Sequence, residues 1–321
     1  MSFSSDTKNE LARLELNRKC CVLAEIAGFV RVCGTLKLSG GGKIDLKLAT
    51  ENPAVARMYL KKIKEYFDVG VDLQIGQNLL MKRGHVYEIT ISSENGAQQI
   101  LREVGILRVL EGCDYIAADI QDSLIKKKCC KKAYLRGVFL GAGTISDPEK
   151  GYHLELVCSD GILAADLRRL INSFGLKAKT AQRRKSHIVY LKEAEQIVDF
   201  LNILGAHGRL LEFENVRIVK EMRNQANRIV NCESANTDKV VNTAARQLAS
   251  IRKIQELKGL AVLPPKLREA AVLRLDHPEA TLAELAEMLD PPLKKSGINH
   301  RFRKIDEFAE ALSESGESRK G

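Results

Sequence analysis

Two vicinal cysteine pairs, Cys20-Cys21 and Cys129-Cys130, carry the most reactive side chains in this 321-residue sequence. Thiolates bind soft metal ions and form disulfides, so the pairs are candidates for zinc or redox chemistry. Neighbouring cysteines do not close an ordinary disulfide with each other, and none of the eight cysteines belongs to a C-x-x-C pair. The spacing therefore predicts reduced thiols in a cytoplasmic protein, with no metal site and no cofactor.

A basic segment near the C-terminus offers a different chemistry. Between Leu293 and Ile305 there are five lysines or arginines and no acid. Arginine and asparagine side chains suit the guanine and adenine edges of the major groove, while lysine and serine suit phosphates. The candidate DNA-binding residues are Lys294, Lys295, Ser296, Asn299, His300, Arg301, Arg303 and Lys304.

The charge balance favours the same class of partner. The net charge is +10 and the pI about 9.1, which indicates a polyanionic partner, and double-stranded DNA is the leading candidate. RNA is an alternative, but aromatic residues make up 5% and tryptophan is absent, which argues against base stacking. Another transcription regulator or RNA polymerase is a candidate protein partner, and no small-molecule substrate is expected.

Apolar stretches are too short to cross a bilayer, so no membrane partner is expected. The first residues, Met1 to Lys8, are polar and lack the apolar core of a signal peptide. Both observations predict a cytoplasmic, nucleoid-associated protein.

The two cysteine pairs belong to a longer internal repeat. Lysine, both cysteines, two glycines and a threonine recur in one fixed frame, from Lys19 to Thr35 and from Lys128 to Thr144. Each residue of the first copy lies 109 positions before its counterpart. Six identities in one frame predict two tandem copies of the same unit, related by a pseudo-two-fold axis.

The elements of each copy follow from periodicity and end signals. An apolar helix leads into an alternating strand, Ile44 to Leu48 or Tyr152 to Leu156. A second helix, two further strands and a short helix follow, and the short helix ends at Gly105 or Gly205, where positive φ is easily adopted. Each copy is therefore predicted as α-β-α-β-β-α, give or take one strand.

The first helix of each copy carries glycine inside its apolar span, at Gly28 and at Gly137. Glycine in a helix costs about 1 kcal/mol relative to alanine, so a compensating close contact is expected. We therefore predict that these two motif helices pack directly on each other along the pseudo-dyad.

This pattern resembles the LAGLIDADG family of homing endonucleases, with Leu135 to Gly143 as the nearer match, over about residues 20 to 205. The resemblance implies two sheets forming a saddle over DNA, with one carboxylate from each motif helix beside the scissile phosphates. Here those acid positions hold Cys33 and Ala142. Alanine offers no ligand and a thiol is a poor ligand for magnesium, so no catalytic residue is expected.

A second basic cluster falls on the strand pair of the second copy. Alternation of strand faces places some of its members on one side, where they can contact phosphates. Lysine also protects exposed edge strands, so both interpretations stay open. The members of this candidate secondary DNA surface are Lys177, Lys179, Arg183, Arg184 and Lys185.

The C-terminal segment reads as three helices. The first is predicted from Lys266 to Leu275, and the second from Leu282 to Leu289 with a capping box at Thr281 and Glu284. The third should begin near Ser296 as N-cap. Its apolar residues recur at helical spacing and predict a buried stripe: Ile298, Phe302, Ile305, Phe308 and Leu312. A short helix, a turn and a basic amphipathic helix predict a helix-turn-helix.

A charged connector precedes this segment, predicted as two long helices, Glu212 to Arg228 and Asp238 to Leu257, with a turn between them. That turn region, together with Leu267-Arg268-Glu269 and the run from Lys295 to Arg301, is similar to signatures of the WhiA family. The resemblance covers nearly the whole chain. It implies a DNA-binding regulator of sporulation, cell division or chromosome segregation.

The predicted fold class is α+β, with tandem LAGLIDADG-like repeats forming a saddle, followed by an all-α helix-turn-helix domain. The predicted function is sequence-specific DNA binding in transcription regulation, without enzyme activity. The alternatives are a divergent LAGLIDADG homing endonuclease and an RNA-binding protein. The predicted boundaries are 1–207 for the LAGLIDADG-like domain (repeats about 10–108 and 119–207), 208–260 for the connector, 261–312 for the helix-turn-helix domain and 313–321 for a disordered tail.

Overall fold

The computed structural model describes residues 2–39, 42–77, 85–184 and 186–317. The chain divides into two compact units, Met1–Lys220 and Glu221–Gly321. No helix in these described ranges combines the length and the apolar character that crossing a bilayer requires.

The first repeat follows a short N-terminal helix, α1 (Phe3–Leu11), and consists of one sheet with its helices. Its four strands form one antiparallel sheet in the order β1-β2-β4-β3, with the helices on one face. The elements are α2 (Lys19–Cys33), β1 (Gly34–Ser39), β2 (Lys43–Thr50), α3 (Pro53–Phe67), β3 (Asp72–Gln77), β4 (His85–Ile91) and α4 (Ala97–Glu103).

A two-stranded hairpin of β5 (Leu107–Leu110) and β6 (Cys113–Ile116) links the repeats. The second repeat then reproduces the first, and its sheet has the corresponding order β7-β8-β10-β9. Its elements are α5 (Lys128–Ala142), β7 (Gly143–Ile145), β8 (Leu154–Cys158), α6 (Gly161–Asn172), β9 (Lys179–Arg183), β10 (Ser186–Leu191) and α7 (Ala194–Leu204).

The order of elements within each repeat matches the sequence prediction except for one strand. That strand, β1 or β7, follows the motif helix directly, so each copy is α-β-β-α-β-β-α. β1 and β7 are edge strands with a single partner, and β7 has three residues, so neither shows the long apolar alternation by which strands are recognised. The β5–β6 hairpin was also not predicted.

Capping contacts mark the helix ends, and the glycines at the ends of the short helices agree with the prediction. The Asn52 side chain accepts hydrogen bonds from the backbone of Ala54 and Val55 at the start of α3. Asp160 caps α6 in the same way. Gly105 and Gly205 both have positive φ after α4 and α7, at 71° and 92°. These local contacts fix where each helix enters and leaves its sheet.

The core of the first unit lies between the sheets and the helices. The inward-facing strand residues are fully buried, and Phe29 of α2 stacks on Tyr59 of α3 with ring centroids 3.6 Å apart. Those strand residues are Leu46, Leu48, Ile89 and Ile91 in the first sheet, and Leu154, Leu156, Val189 and Leu191 in the second.

The predicted break in the connector is wrong, because one helix, α8, runs without interruption from His207 to Lys258. Residues 227–237 include no proline or glycine, so nothing forces the helix to end. Their polar side chains are accommodated within the helix, since the Thr237 hydroxyl donates to the Glu233 carbonyl oxygen at 3.0 Å.

The second unit contains α9 (Pro265–Asp276), α10 (Leu282–Glu287) and α11 (Lys295–Glu317). Both hydrogen bonds of the predicted capping box are present at Thr281 and Glu284. The core combines these helices with the last turns of α8, and its central residues are Ile251, Ile254, Ala270, Leu285, Ile298, Phe302 and Ile305.

Two predictions at the ends of α11 need correction. Ser296 is not the N-cap, because the helix begins at Lys295 and Ser296 lies in its first turn. The tail predicted to be disordered from Ser313 starts too early, since α11 continues to Glu317. Glutamate favours helix, and no proline interrupts this stretch. Residues 318–321 lie outside the described residues.

Candidate nucleic-acid interface

The third helix of the C-terminal unit, α11, has one buried and one exposed face. Ile298, Phe302 and Ile305 are at most 1% exposed and pack into the core, with Phe308 and Leu312 partly buried beside them. Opposite this stripe, Ser296, His300 and Arg303 recur at intervals of three or four residues and are exposed. The predicted stripe is therefore confirmed.

The remaining candidate residues of α11 extend this exposed face, apart from Arg301. Lys294, Lys295 and Lys304 are exposed, and Asn299 is half-buried. In the described part of the chain, no ion pair or hydrogen bond involves the side chains of Lys294, Lys295, Arg303 or Lys304. Their donors therefore remain available to an outside acceptor.

Arg301 is engaged within the protein, unlike the other candidate residues. Its guanidinium donates to a Glu269 carboxylate oxygen at 2.9 Å and to the Lys266 carbonyl oxygen at 3.2 Å. Both partners lie on α9, so Arg301 joins α11 to the first helix of the unit. The spacing that placed it among the exposed polar residues did not reveal this acid on another helix.

A buried arginine positions α11 within its unit. Arg274 of α9 is 1% exposed and donates through Nε to Gln247 Oε1 at 3.1 Å and through Nη1 to the Ala280 carbonyl oxygen at 2.5 Å. Its guanidinium carbon lies 5.4 Å from the centroid of the Phe302 ring. Burial lowers the pKa of Arg274. One side chain thus contacts α8, α9, the loop before α10 and α11.

The motif helices of the first unit pack backbone to backbone, as predicted. A Cβ atom on Gly28 would overlap the Tyr134 carbonyl oxygen and lie 3.1 Å from the backbone nitrogen of Val138. A Cβ atom on Gly137 would overlap the Glu25 carbonyl oxygen and lie 2.9 Å from the backbone nitrogen of Phe29. Only glycine permits this approach at either position.

The positions that hold acids in the resembling nuclease family lie at the C-terminal ends of α2 and α5. Burial raises the pKa of the Cys33 thiol to about 12, so it is protonated at neutral pH. It interacts electrostatically with Lys8 of α1, a cation whose own pKa is lowered by burial. Ala142 has no ligand atom. Neither position offers an anionic oxygen to a divalent cation.

Nearby carboxylates are already engaged. Glu25, inside α2, is fully buried and pairs with Lys62 and with Arg136, the latter at 3.7 Å. Asp147, in the loop after β7, accepts a hydrogen bond from the Glu149 backbone at 3.0 Å within a turn. Glu25 therefore has structural partners on α3 and α5, and Asp147 has a partner within its own turn.

The candidate secondary DNA surface is a sheet edge. β9 is the outer strand of its sheet, and all five of its residues are exposed. The register places Lys179 opposite Tyr190 and Arg183 opposite Ser186, on the face away from the buried Val189 and Leu191. Lys177 is exposed just before the strand, and Arg184 is exposed at the turn. Lys185 lies outside the described residues.

The corresponding face of the first sheet carries balanced charge. Lys47 pairs with Glu88 across neighbouring strands at 3.3 Å, and Lys37 lies opposite Asp45 in the strand register. The same fold therefore presents a compensated surface in the first repeat and an excess of positive charge at the outer strand of the second. The difference makes β9 the better candidate for phosphate contacts.

Sequence reasoning missed several residues that support these surfaces. α1 was not predicted, although Ser2 is an N-cap and Phe3 and Leu11 are apolar at helical spacing. The Glu10 carboxylate at its end accepts hydrogen bonds from the backbone nitrogens of Gly208 and Arg209, at 2.7 and 2.9 Å. The role of Arg274 had no local signal, because its partners come from three other segments.

Comparison with known proteins identifies the family. Three family models match the chain: the WhiA N-terminal LAGLIDADG-like domain over residues 19–107, the WhiA LAGLIDADG-like domain over residues 131–223 and the WhiA C-terminal HTH domain over residues 226–309. These matches, with the antiparallel sheets and helices of the first unit and the helical C-terminal unit, confirm the predicted fold class.

Curated relatives of similar length extend over almost all of the chain. Proteins named "Probable cell division protein WhiA" from Alkaliphilus metalliredigens and Clostridium perfringens strain 13 are 48% and 50% identical. Each alignment covers 97% of this chain and 98% of the relative. A crystal structure of full-length DUF199/WhiA from Thermotoga maritima has the same fold, with a TM-score of 0.60, 24% identity and coverage of 97% of this chain and 99% of that one. The chain belongs to the WhiA family.

Proposed function

We propose that this chain is a sequence-specific regulator of transcription that binds double-stranded DNA and has no nuclease activity. The observation that carries the proposal is the exposed basic face of α11. Its apolar face is buried in the helix-turn-helix unit, while Arg303 and His300 are exposed on the opposite side. A helix held in this way can enter a major groove without rearranging its own core.

The side chains divide by the groups they can recognise. Asn299 and Arg303 suit adenine and guanine edges, and Lys294, Lys295, Lys304 and Ser296 suit phosphates. Arg301 is assigned a structural role, because its contact with Glu269 holds α11 against α9. The exposed edge strand β9 supplies an additional salt-dependent contribution through Lys177, Lys179, Arg183 and Arg184.

The absence of nuclease activity rests on the chemistry of the motif-helix ends. Metal-assisted phosphodiester cleavage requires oxygen ligands that hold the cation and stabilise developing charge. Cys33 is a protonated thiol, Ala142 has no ligand atom, and Glu25 is bound to Lys62 and Arg136. The LAGLIDADG-like unit is therefore proposed to serve as a binding scaffold.

The regulated genes are proposed to be those for cell division or sporulation, which the names of the relatives as cell division proteins support. Transcription control also implies a protein partner, and RNA polymerase or a second regulator fits that role. A regulator of this kind works on the nucleoid in the cytoplasm. These assignments extend the proposal beyond DNA recognition itself.

The proposal is tested by mapping bound DNA across the genome and measuring affinity for a recovered site against a scrambled duplex and an RNA of the same sequence. We expect the recovered site to be preferred by about 10³-fold or more. Equal affinity for the scrambled duplex would remove sequence recognition, and stronger binding to RNA would reassign the substrate.

The nuclease question needs a separate assay. Supercoiled DNA is incubated with protein and Mg²⁺, using the wild type and Asp147→Ala. We expect no nicking above the protein-free control. Nicking by the wild type that disappears in the variant would contradict the absence of an enzyme activity.

A further inference from the structure

Pairing of the two motif helices brings together the vicinal cysteines that are far apart in sequence. Cys20 and Cys21 lie in the first turn of α2, and Cys129 and Cys130 lie in the first turn of α5. The sulfur atoms of Cys20, Cys21 and Cys130 all lie within 4.8 Å of one another. Cys129 precedes Cys130 on α5 and lies beside this group, with its sulfur 3.9 Å from Arg18 Nη1.

We propose that Cys20, Cys21 and Cys130 form a binding site for a thiophilic metal ion of the zinc class, with Cys129 as the fourth ligand once its side chain turns toward them. The metal would join the two repeats at the N-terminal ends of their motif helices. The site does not depend on the DNA-binding proposal, because it lies at the opposite ends of α2 and α5 from Cys33 and Ala142. Cys33 lies thirteen positions after Cys20 in the helix, which corresponds to about 20 Å.

The geometry suits tetrahedral thiolate coordination. Zinc–sulfur bonds of about 2.3 Å place the sulfurs of a tetrahedral site roughly 3.8 Å apart. A contraction of at most about 1 Å brings the three clustered sulfurs to that separation, and Cys129 supplies the fourth ligand. The ligands are also related by the repeat. Cys20 and Cys129 occupy equivalent positions 109 residues apart, and so do Cys21 and Cys130.

The ligand atoms determine which metal ions the site prefers. Among the described residues, the cluster contains sulfur ligands with no carboxylate or imidazole. Thiolates favour zinc and copper(I) over magnesium or calcium, which prefer oxygen. The C-x-x-C rule describes ligands on one segment, whereas here two adjacent pairs meet across a helix crossing, which local spacing in the sequence does not show.

The surroundings favour thiolates over thiols once a cation is present. Each pair sits at a helix N-terminus, whose partial positive charge stabilises anions. Arg18 Nη1 lies 3.9 Å from Cys129 Sγ and places a positive charge beside that sulfur. A metal ion binds thiolates and releases the thiol protons, so affinity for the metal should rise with pH.

Access to the site is available from solvent. Cys20 is exposed and Cys129 is half-exposed, whereas Cys21 and Cys130 are buried. A metal ion can therefore enter from the Cys20 side and bind the inner thiols. The neighbouring cations Lys19, Lys127 and Lys128 offset the charge of a metal bound by four thiolates.

Cobalt(II) is the first probe, added to the reduced full-length chain in a thiol-free reductant. Tetrahedral thiolate coordination gives sulfur-to-cobalt charge-transfer absorption in the near ultraviolet and intense visible bands, and zinc displaces it. We expect one cobalt per chain and a loss of affinity of at least about tenfold in Cys20→Ser and in Cys129→Ser. Both residues are accessible, so these variants keep the core intact, which circular dichroism verifies.

Matched controls are Cys113→Ser and Cys232→Ser, which remove exposed thiols outside the cluster. They should bind cobalt with wild-type affinity. No stoichiometric cobalt or zinc binding by the reduced wild type would overturn the proposal. Equal binding by the double variant Cys20→Ser/Cys129→Ser would also overturn it. So would peptide mapping that finds these thiols joined in disulfides while the reduced chain binds no metal.

Discussion

Gly28 lies against the carbonyl oxygen of Tyr134 in the crossing of the two motif helices. Gly137 makes the equivalent contact with the carbonyl oxygen of Glu25. Glu25 and Tyr134 are themselves 109 residues apart, so the two contacts are one interaction repeated by the pseudo-dyad. Through these two equivalent contacts, the repeats pack into a single core.

The helix crossing predicts a large effect for a small substitution. Gly137→Ala should destabilise the chain by about 1–3 kcal/mol, because the added methyl group overlaps backbone atoms that no side-chain rotation can move away. The gain in helix propensity, about 1 kcal/mol, reduces this loss without cancelling it. Urea unfolding measures the difference. Gly151→Ala is the control, since nothing lies within 4 Å of its added Cβ, and equal losses for both would argue against the close crossing.

The buried ion pair predicts a strong dependence on Glu25. Glu25→Ala should cost about 3–5 kcal/mol of unfolding free energy, because it leaves Lys62 and Arg136 without their buried counter-charge. The exposed pair of Lys61 and Glu65, 3.8 Å apart on α3, provides the comparison. Glu65→Ala should cost at most about 0.5 kcal/mol. If Glu25→Ala proved as stable as wild type, the structural role of this carboxylate would be wrong.

Two neighbouring arginines of α11 should behave differently. Arg303→Ala should weaken binding to the recovered DNA site by about 1–3 kcal/mol and relax preference at one base pair. Arg301→Ala should instead lower the unfolding temperature of the C-terminal unit, because it removes the ion pair with Glu269. Fluorescence anisotropy with a set of single-base variants separates these effects. Loss of affinity on all sequences alike in Arg303→Ala would assign that residue to phosphate.

The edge strand β9 predicts a change in salt dependence. The double variant Lys179→Ala/Arg183→Ala should reduce the slope of log affinity against log salt by about 0.9 for each DNA phosphate that the variant no longer neutralises. Lys47→Ala on the first sheet is the matched control, since Lys47 is paired with Glu88. Slopes are measured by anisotropy titrations at several salt concentrations. An unchanged slope in the double variant would exclude β9 from the DNA interface.

Thiol reactivity should differ sharply along the chain. The pKa of Cys33 is raised to about 12, so its thiolate is scarce at neutral pH, and alkylation should stay slow until the chain unfolds. The pKa of Cys129 is lowered, so its alkylation should persist to lower pH than that of an ordinary thiol. Timed labelling in the metal-free protein, followed by peptide mass spectrometry across a pH series, measures both. Rapid labelling of Cys33 in the folded chain would contradict its raised pKa.

The sequence predicted most of the fold because its signals were local or repeated. The glycine positions, the alternating strands and the capping box at Thr281 and Glu284 each carry their own pattern. The break in the connector was predicted from polar residues near Asn231, but polar residues also fit an exposed helix when no proline or glycine interrupts it. Polarity alone did not distinguish a turn from a solvated helix.

The candidate sites were predictable where one element forms them and not where several meet. The exposed face of α11 follows from spacing alone, and so does the row from Lys177 to Arg183. The contact of Arg301 with Glu269, the partners of Arg274 and the meeting of the cysteine pairs all depend on tertiary packing. Such contacts join residues that are far apart in the sequence. Local periodicity does not predict them.

The crossing at Gly28 and Gly137 has a consequence for fragments of this protein. A polypeptide ending before residue 119 would retain α2 but lose α5, and the small, apolar surface around Ala24 and Gly28 would face water. Self-association would restore the missing partner, because the surface that α2 uses is nearly its own complement. An isolated half should therefore form a homodimer, the arrangement from which fusion of two identical genes would produce a tandem chain.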